Sequence, residues 1–242
     1  MLDRSDLTLA EQLAATQDWW REAGVDCVFV DEPQALLKPA VDEAAAAPES
    51  AAQAIEAPAP PPPLLALDLP GDLAAFGEWW VDPASPLPGP PLGRIGPRGA
   101  VEAPLMVLVP MPEGEDRDSL LSGAQGRLVR NMLRALGLGE DEAYIATALP
   151  ATMALPDWEA LAASGLGAVV RHHVALARPK RLLLLGNGLP VLLGLDGPQR
   201  TAIPTEQGDM PVLTAFAPDQ LLGHPRQMAR LWQRLLDWMP PL

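Results

Sequence analysis

The sequence has little of several residue types that mark particular classes of protein. Its 242 residues include a single cysteine, Cys27, so a disulfide within the chain and an all-cysteine metal or cluster site are both excluded. Lysine occurs only at Lys38 and Lys180, which disfavours a broad basic surface for nucleic acid. No apolar run approaches the roughly 18 residues of a membrane span, and no apolar signal core opens the sequence. We therefore expect a cytoplasmic protein that has no membrane contact, no metal and no cofactor.

Negative charge is concentrated in the first part of the chain. The net charge is -14, and residues 1 to 100 carry 16 acids and 5 bases, whereas residues 101 to 242 carry 15 acids and 12 bases. Clustered positive charge is what attracts phosphates, so any DNA binding is expected to be weak or local. The residues that would form a local patch are Arg127, Arg130, Arg134, Arg171, Arg178 and Arg181.

Composition divides the chain into four segments. Residues 1–38 contain a predicted helix, from Leu9 to Ala23, whose Thr8 and Glu11 have the spacing of a capping box, followed by a short apolar strand around Cys27. Residues 39–66 are rich in Ala and Pro and are predicted to be a linker. Residues 67–102 are rich in Pro and Gly and are predicted to be irregular. The main domain is predicted to span residues 103–242.

The main domain shows the pattern of an α/β protein. Apolar runs typical of buried strands alternate with apolar stripes at helical spacing, which predicts a three-layer α/β/α sandwich around a mostly parallel, four-stranded sheet. Ligands of such sheets bind beyond the carboxyl ends of the strands, in the loops after Val109, Leu149, Leu185 and Phe216. The predicted strands are Leu105 to Val109, Tyr144 to Leu149, Arg181 to Leu185 and Val212 to Phe216. The helices are expected around Leu128 to Leu136, Val169 to Ala177 and Gln227 to Trp238.

Five stretches of the main domain carry a resemblance to a known superfamily. In order they are APLMVLVPMPEGED, LLSGAQGRLVRNMLRALGL, AYIATALP, ARPKRLLLLGNGLPVLLG and TAFAPDQLLGHP. Their order and spacing resemble the uracil-DNA glycosylase superfamily, most closely its iron-sulfur branch. The resemblance implies the fold of those enzymes, with a pocket for a flipped uracil at the loops that follow the strands.

The residues that carry catalysis in that superfamily are replaced in this chain. Relative to the family pattern, the acid that serves the attacking water, the ring that stacks on uracil, the amide that recognises its edge and the histidine that stabilises the departing base all differ. A cysteine that ligates the cluster corresponds to Ala151. The residues at the other pocket positions are Pro110, Met111, Leu121, Thr147, Ala217 and Pro218, and of these Pro218 is retained from the family pattern.

Two hypotheses for the first loop remain open. In a divergent glycosylase, Glu113, Glu115 or Asp116 would supply the carboxylate from a shifted position. A general base has to reach the proton that it removes and need not occupy the family's exact sequence position. Alternatively, these acids are solvated residues of a loop. An active enzyme would need a concave polar pocket after Val109 and Phe216, whereas a binding protein would fill it with Met111, Leu121 and Phe216.

Other chemistries find less support in the sequence. His172 and His173 are adjacent on a predicted helix, about 100 degrees apart, and cannot present one metal-binding face. His224 lies seven residues beyond the family's histidine position and is expected to be exposed. Cys27 has apolar neighbours and no nearby histidine, so it is expected to be a small core residue.

A second resemblance points to a protein that is not an enzyme. The chain is similar to the psi-subunit family of the bacterial DNA polymerase III clamp-loader assembly, whose fold is itself similar to that of uracil-DNA glycosylases. The similarity lies in the Trp20 to Val25 region, in Leu133 to Leu136, and in Leu231, Trp232 and Gln233. It implies a protein-binding accessory in replication or repair. Candidate anchors are Trp19, Trp20, Trp79 and Trp80, with packing on the main domain as the alternative.

Overall fold

The computed structural model describes residues 8–23, 64, 67–195, 202–205 and 208–239. The chain divides into two compact units, Met1–Ala57 and Pro58–Leu242. The predicted strand around Cys27 and nearly all of the predicted linker lie outside the described residues.

The first unit is described only through helix α1, Leu9–Glu22. The capping box predicted from the sequence is present: the Thr8 hydroxyl accepts from the Glu11 backbone N–H, and the Glu11 carboxylate accepts from the Thr8 N–H at 2.8 Å. None of the residues of α1 is buried. An isolated helix of this length is only marginally stable in water, so its stability depends strongly on such local contacts.

The second unit is built on a five-stranded, mostly parallel sheet in the order β2-β1-β3-β5-β4. The first four strands in that order run parallel to one another, and only β4 is antiparallel, to its neighbour β5. Along β2, the backbone of Arg98 pairs with Ile145 in both directions and covers the outer edge. The strands are β1 Leu105–Val109, β2 Ala143–Thr147, β3 Leu182–Leu185, β4 Ala202–Thr205 and β5 Gly208–Ala215.

Helices cover both faces of the sheet, because successive side chains of the central strands alternate between two cores. Met106 and Leu108 point into one core, with α2 and α5, whereas Leu105, Val107 and Val109 point into the other, with α3 and α8. A 3-10 turn, Glu140–Glu142, precedes β2. The helices of this unit are α2 Leu73–Val81, α3 Ala124–Ala135, α4 Trp158–Ala163, α5 Leu166–Ala177, α6 Gly188–Leu192, α7 Pro218–Gly223 and α8 Pro225–Trp238.

The mixed α/β class and the mostly parallel sheet are as predicted, and four of the five strands match the predicted runs. The fifth strand, β4, was not predicted because it is short, contains Pro204 and forms only a hairpin with β5. The structure also differs over residues 67–102, which were predicted to be irregular. Helix α2 lies there, capped by Asp72, and its Phe76 and Trp80 are buried in the core. Gly and Pro residues on either side of α2 dominate the composition of this segment, so the short apolar face of the helix was not recognised.

Candidate functional site

The loop that follows β1 binds the start of α3 through Glu113. This carboxylate accepts hydrogen bonds from three backbone N–H groups, those of Gly123 at 3.1 Å, Gln125 at 3.0 Å and Gly126 at 2.8 Å. Gly123 occupies the N-cap position of α3 and has no side chain to cap it. Glu113 therefore replaces the missing cap, and its negative charge lies at the positive end of the helix dipole.

Asp116 closes the same loop on itself. One carboxylate oxygen accepts from the N–H groups of Glu113 and Leu121, both at 2.9 Å. The other accepts from the Ser122 N–H at 2.8 Å and from its hydroxyl at 2.7 Å. Burial raises the pKa of Asp116, but the hydrogen bonds outweigh it and leave the pKa below its usual value. A carboxylate held in this way stays ionised and is a poor general base.

Gly123 and Gly126, in the turn into α3, have structural reasons to be glycine. A Cβ atom added at Gly123 would lie 2.6 Å from Oε2 of Glu113, so a side chain there would displace the capping carboxylate. A Cβ atom at Gly126 would overlap the carbonyl oxygen of Leu121. Leu121 itself is fully buried with a φ of 56°, in the left-handed region. The turn is thus a packed entry into α3.

We expect Gly126→Ala to lower the free energy of unfolding by about 2 kcal/mol, because the backbone of Leu121 cannot move away cheaply. The matched control is Gly77→Ala in α2, where nothing lies within 4 Å of the added Cβ atom. That variant is expected to gain about 0.5–1 kcal/mol from helix propensity. Urea unfolding midpoints of the two variants check this. Equal midpoints for Gly126→Ala and the unmodified chain would contradict the close approach.

Glu115 is the one predicted acid of this loop that is exposed. The loop also borders a small cleft of about 300 Å³, whose lining includes Glu113, Asp116, Pro112 and Thr152. Glu113 and Asp116 present only 8% and 5% of their surface to it, because their oxygens turn inward to the backbone donors. The structure therefore leaves Glu115 as the only one of the three candidates with a carboxylate free to meet a ligand.

The other predicted pocket positions are mostly packed together. Pro110 lies against Gly186, where an added Cβ atom would come within 2.6 Å of the proline ring, and this contact closes the gap between the loops after β1 and β3. Met111 is half-buried against one core, and Leu121 is buried in the other. Thr147 pairs with Val109 at the end of β2, and its buried hydroxyl has no hydrogen-bond partner.

The last strand ends without the predicted filling of the pocket. Ala217 is a half-buried N-cap, and Pro218 is buried in the first turn of α7. His224 is exposed between α7 and α8, as expected. Phe216, however, was predicted to fill the pocket with Met111 and Leu121, and it is instead 39% exposed. Phe216 belongs to neither hydrophobic core and instead lines a cleft beyond the end of β5.

Phe216 lines a cleft of about 410 Å³ at the carboxyl ends of β3 and β5. The cleft lies at two of the predicted loops, those after Leu185 and Phe216, but its lining could not be predicted because the side chains come from three separate elements and form no motif. Its lining is Gly186, Asn187, Pro190, Thr214, Ala215, Phe216, Gln227, Arg230, Leu231 and Arg234. For the contribution of α8, the spacing of Arg230 and Arg234, one turn apart, is the signal that the sequence offers.

The two tryptophan pairs have different environments. On α1, Trp19 and Trp20 are 60% and 48% exposed, and their rings contact each other edge to face at 5.0 Å. On α2, Trp80 is 1% exposed and stacks on Phe76, while Trp79 is half-buried against the same core. The second pair therefore anchors α2 in the domain and offers little surface to a partner.

The arginines expected to form a basic patch do not form one surface. Helix α3, with Arg127, Arg130 and Arg134, packs on the opposite face of the sheet from α5, which carries Arg171. Arg178 pairs with Glu102 at 3.0 Å. Arg181 donates to the Trp238 carbonyl oxygen and lies over its ring. The predicted patch is thus divided between the two faces, and several of its members have structural partners.

Two further properties concern the described part of the chain. No group of three or more His, Cys, Asp and Glu side chains there is placed to hold a metal ion. None of the described helices combines the length and the apolar character that crossing a membrane requires.

Comparison with known proteins adds no relative. No protein-family model matches the chain, and no curated protein is significantly similar to it. The likeness to the uracil-DNA glycosylase superfamily and to the psi-subunit family therefore stays a prediction that rests on short motifs.

Proposed function

We propose that this chain has a uracil-DNA-glycosylase-like fold, lacks glycosylase activity, and acts as a protein-binding accessory in DNA replication or repair. A role similar to that of the psi subunit in the clamp-loader assembly is the specific form of this proposal. One observation carries it: the carboxylates of Glu113 and Asp116 are both occupied by backbone donors of their own loop. The two carboxylates therefore stabilise the loop and the start of α3, a role that does not require catalysis.

Hydrolysis of a glycosidic bond also needs groups that this site does not offer. Charge that develops on the departing base requires a positioned donor, and the loss of one such donor commonly costs about 100-fold in rate. In the resemblance to the superfamily, Ala217 stands at the charge-stabilising histidine and has only a methyl group, and Pro110 stands in the place of the acid.

Protein binding is supported by the exposed surface of α1. Leu9, Leu13 and Trp20 fall on one stripe of the helix and are 83%, 60% and 48% exposed. A tryptophan beside leucines is the composition of an interface hot spot. Glu11 in the first turn and Asp18 later in the helix lie on the opposite side of α1. The partner that fits the stripe is an apolar groove.

The first test measures abasic-site formation in uracil-containing single- and double-stranded oligonucleotides at high protein excess. We expect no product, because no free acid and charge stabiliser meet in one pocket. Turnover by the unmodified chain would overturn the proposal. If Glu115→Gln then abolished that turnover, the divergent-glycosylase alternative would be restored with Glu115 as the acid. Glu115 is exposed and glutamine keeps the size of its side chain, so this variant should leave the loop folded.

The second test measures binding of the full chain to the purified bacterial clamp-loader complex by surface plasmon resonance. Leu13→Ala with Trp20→Ala is expected to weaken binding by at least about tenfold, the usual effect of removing an aromatic anchor. Asp18→Asn, on the opposite side of α1, is the matched control and should bind as the unmodified chain does. No binding by the unmodified chain would remove the clamp-loader form of the proposal.

A further inference from the structure

The cleft beside Phe216 is positively charged in a chain whose overall charge is strongly negative. Arg230 and Arg234 line it from α8, and both are exposed. None of the described residues of its lining is acidic. Arg234 donates from Nη1 to the Thr214 carbonyl oxygen at 2.9 Å, which fixes its guanidinium group at the end of β5. Two arginines one helical turn apart form a clamp suited to a phosphate.

The same cleft also has a surface for a planar ring. Phe216 exposes 39% of its surface on the lining, and an exposed aromatic face is a platform on which a base stacks. Gln227 also lines the cleft, and its side-chain oxygen is buried without a hydrogen-bond partner. A buried acceptor without a donor costs free energy, so a ligand N–H group that reached it would be favoured.

Size and position agree with a small ligand. The cleft has a volume of about 410 Å³, at the lower end of the range for small-molecule sites. It lies beyond the carboxyl ends of two parallel strands, β3 and β5, and ligands of sheets of this kind bind at that end of the strands. Arginine donors for a phosphate, an aromatic ring for stacking and an amide acceptor without a partner thus line the same cleft.

The geometry points to a binding site for one nucleotide unit, with the phosphate on Arg230 and Arg234 and the base on Phe216. The ligand is a free mononucleotide or the end of a single-stranded nucleic acid, which share this chemistry. The inference does not depend on the protein-binding function proposed for α1, since it uses none of the residues of that helix.

Isothermal titration calorimetry of the full chain with 2′-deoxyadenosine 5′-monophosphate tests the site. We expect one site per chain, and Arg230→Ala and Phe216→Ala should each weaken binding about tenfold. Arg226→Ala and Leu222→Ala are the matched controls, because both residues are exposed nearby and neither lines the cleft. Binding to these two variants should stay within about twofold of the unmodified chain.

A single-stranded oligodeoxyadenylate of eight nucleotides, titrated in parallel, separates the two sources of the ligand. Much tighter binding of the octamer, lost in Arg230→Ala, identifies the end of a strand, whereas equal affinities identify the free nucleotide. Three results would overturn the inference: no binding of either ligand, equal losses in Arg226→Ala and Arg230→Ala, or inorganic phosphate that binds as tightly as the nucleotide. Clamp-loader binding by these variants should be unchanged, which keeps this outcome apart from that of the proposed function.

Discussion

Replacement of Glu113 by alanine is expected to lower the free energy of unfolding by about 3–5 kcal/mol, the range of severe single substitutions. The variant leaves the N–H groups of Gly123, Gln125 and Gly126 without their acceptor, and two of these three residues are buried. It also removes a negative charge from the N-terminus of α3, where the helix dipole favours one. Urea unfolding followed by circular dichroism measures the change.

The matched control for this prediction is Glu115→Ala in the same loop. Its side chain is exposed, so the change should stay within about 0.5 kcal/mol, as is usual for surface positions. Glu113→Gln should fall between the two, because it keeps one acceptor oxygen but loses the charge. If Glu113→Ala unfolded at the same urea concentration as Glu115→Ala, the assignment of Glu113 as the cap of α3 would fail. The pseudoenzyme proposal would then lose the observation that carries it.

The sequence was sufficient for those parts of the fold that depend on local pattern. The continuous apolar runs of β1 and β3 are buried on both faces, which is why they have no alternation and why a parallel sheet could be predicted from them. The stripe of α8, with Leu231 and Leu235 buried, follows the helical period in the same way. In these elements the residues that decide the structure are neighbours in the chain.

The parts that could not be predicted depend on contacts between distant residues. Glu113 caps a helix that begins more than ten residues later, through oxygens that meet backbone groups, and no side-chain pattern marks such an acceptor. The cleft joins Phe216 to Arg230 only because α8 folds back beside β5. Trp20 and Trp80 each follow another tryptophan in the sequence, yet Trp80 is buried and Trp20 is exposed. The environment of each tryptophan is set by tertiary packing, which cannot be read from the composition of the surrounding segment.

His173 is the most deeply buried of the polar residues in the described part of the chain, and it gives a prediction about pH. The ring is 0% exposed and lies among Phe76, Trp80 and Tyr144, with centroid distances of 4.5, 5.8 and 5.6 Å. Its Nε2 atom is 2.8 Å from the Tyr144 hydroxyl, and its Nδ1 atom has no partner. Burial, and secondarily the charge of His172, lower the pKa of His173 to about 3.

This shift makes the folded chain lose stability in acid. The unfolded chain binds a proton on this histidine below its ordinary pKa of about 6.5, whereas the folded chain binds it only near pH 3. Between these two values the unfolded state holds more protons, so the free energy of unfolding falls as the pH falls. The slope from this one group approaches about 1.4 kcal/mol per pH unit, and the group contributes no pH dependence above about pH 7.

The double variant His173→Leu with Tyr144→Phe separates this group from the carboxylates that also titrate in acid. Removing both partners of the hydrogen bond leaves no unpaired hydroxyl, so its stability at pH 7 should lie within about 1–2 kcal/mol of the unmodified chain. Urea unfolding from pH 7 to pH 4 should then show a shallower decline, by up to about 1.4 kcal/mol per pH unit. His224→Gln, at an exposed histidine, should retain the full slope. Equal slopes in the double variant and the unmodified chain would mean that His173 accepts its proton in the folded state, and that the aromatic cluster around it is open to water.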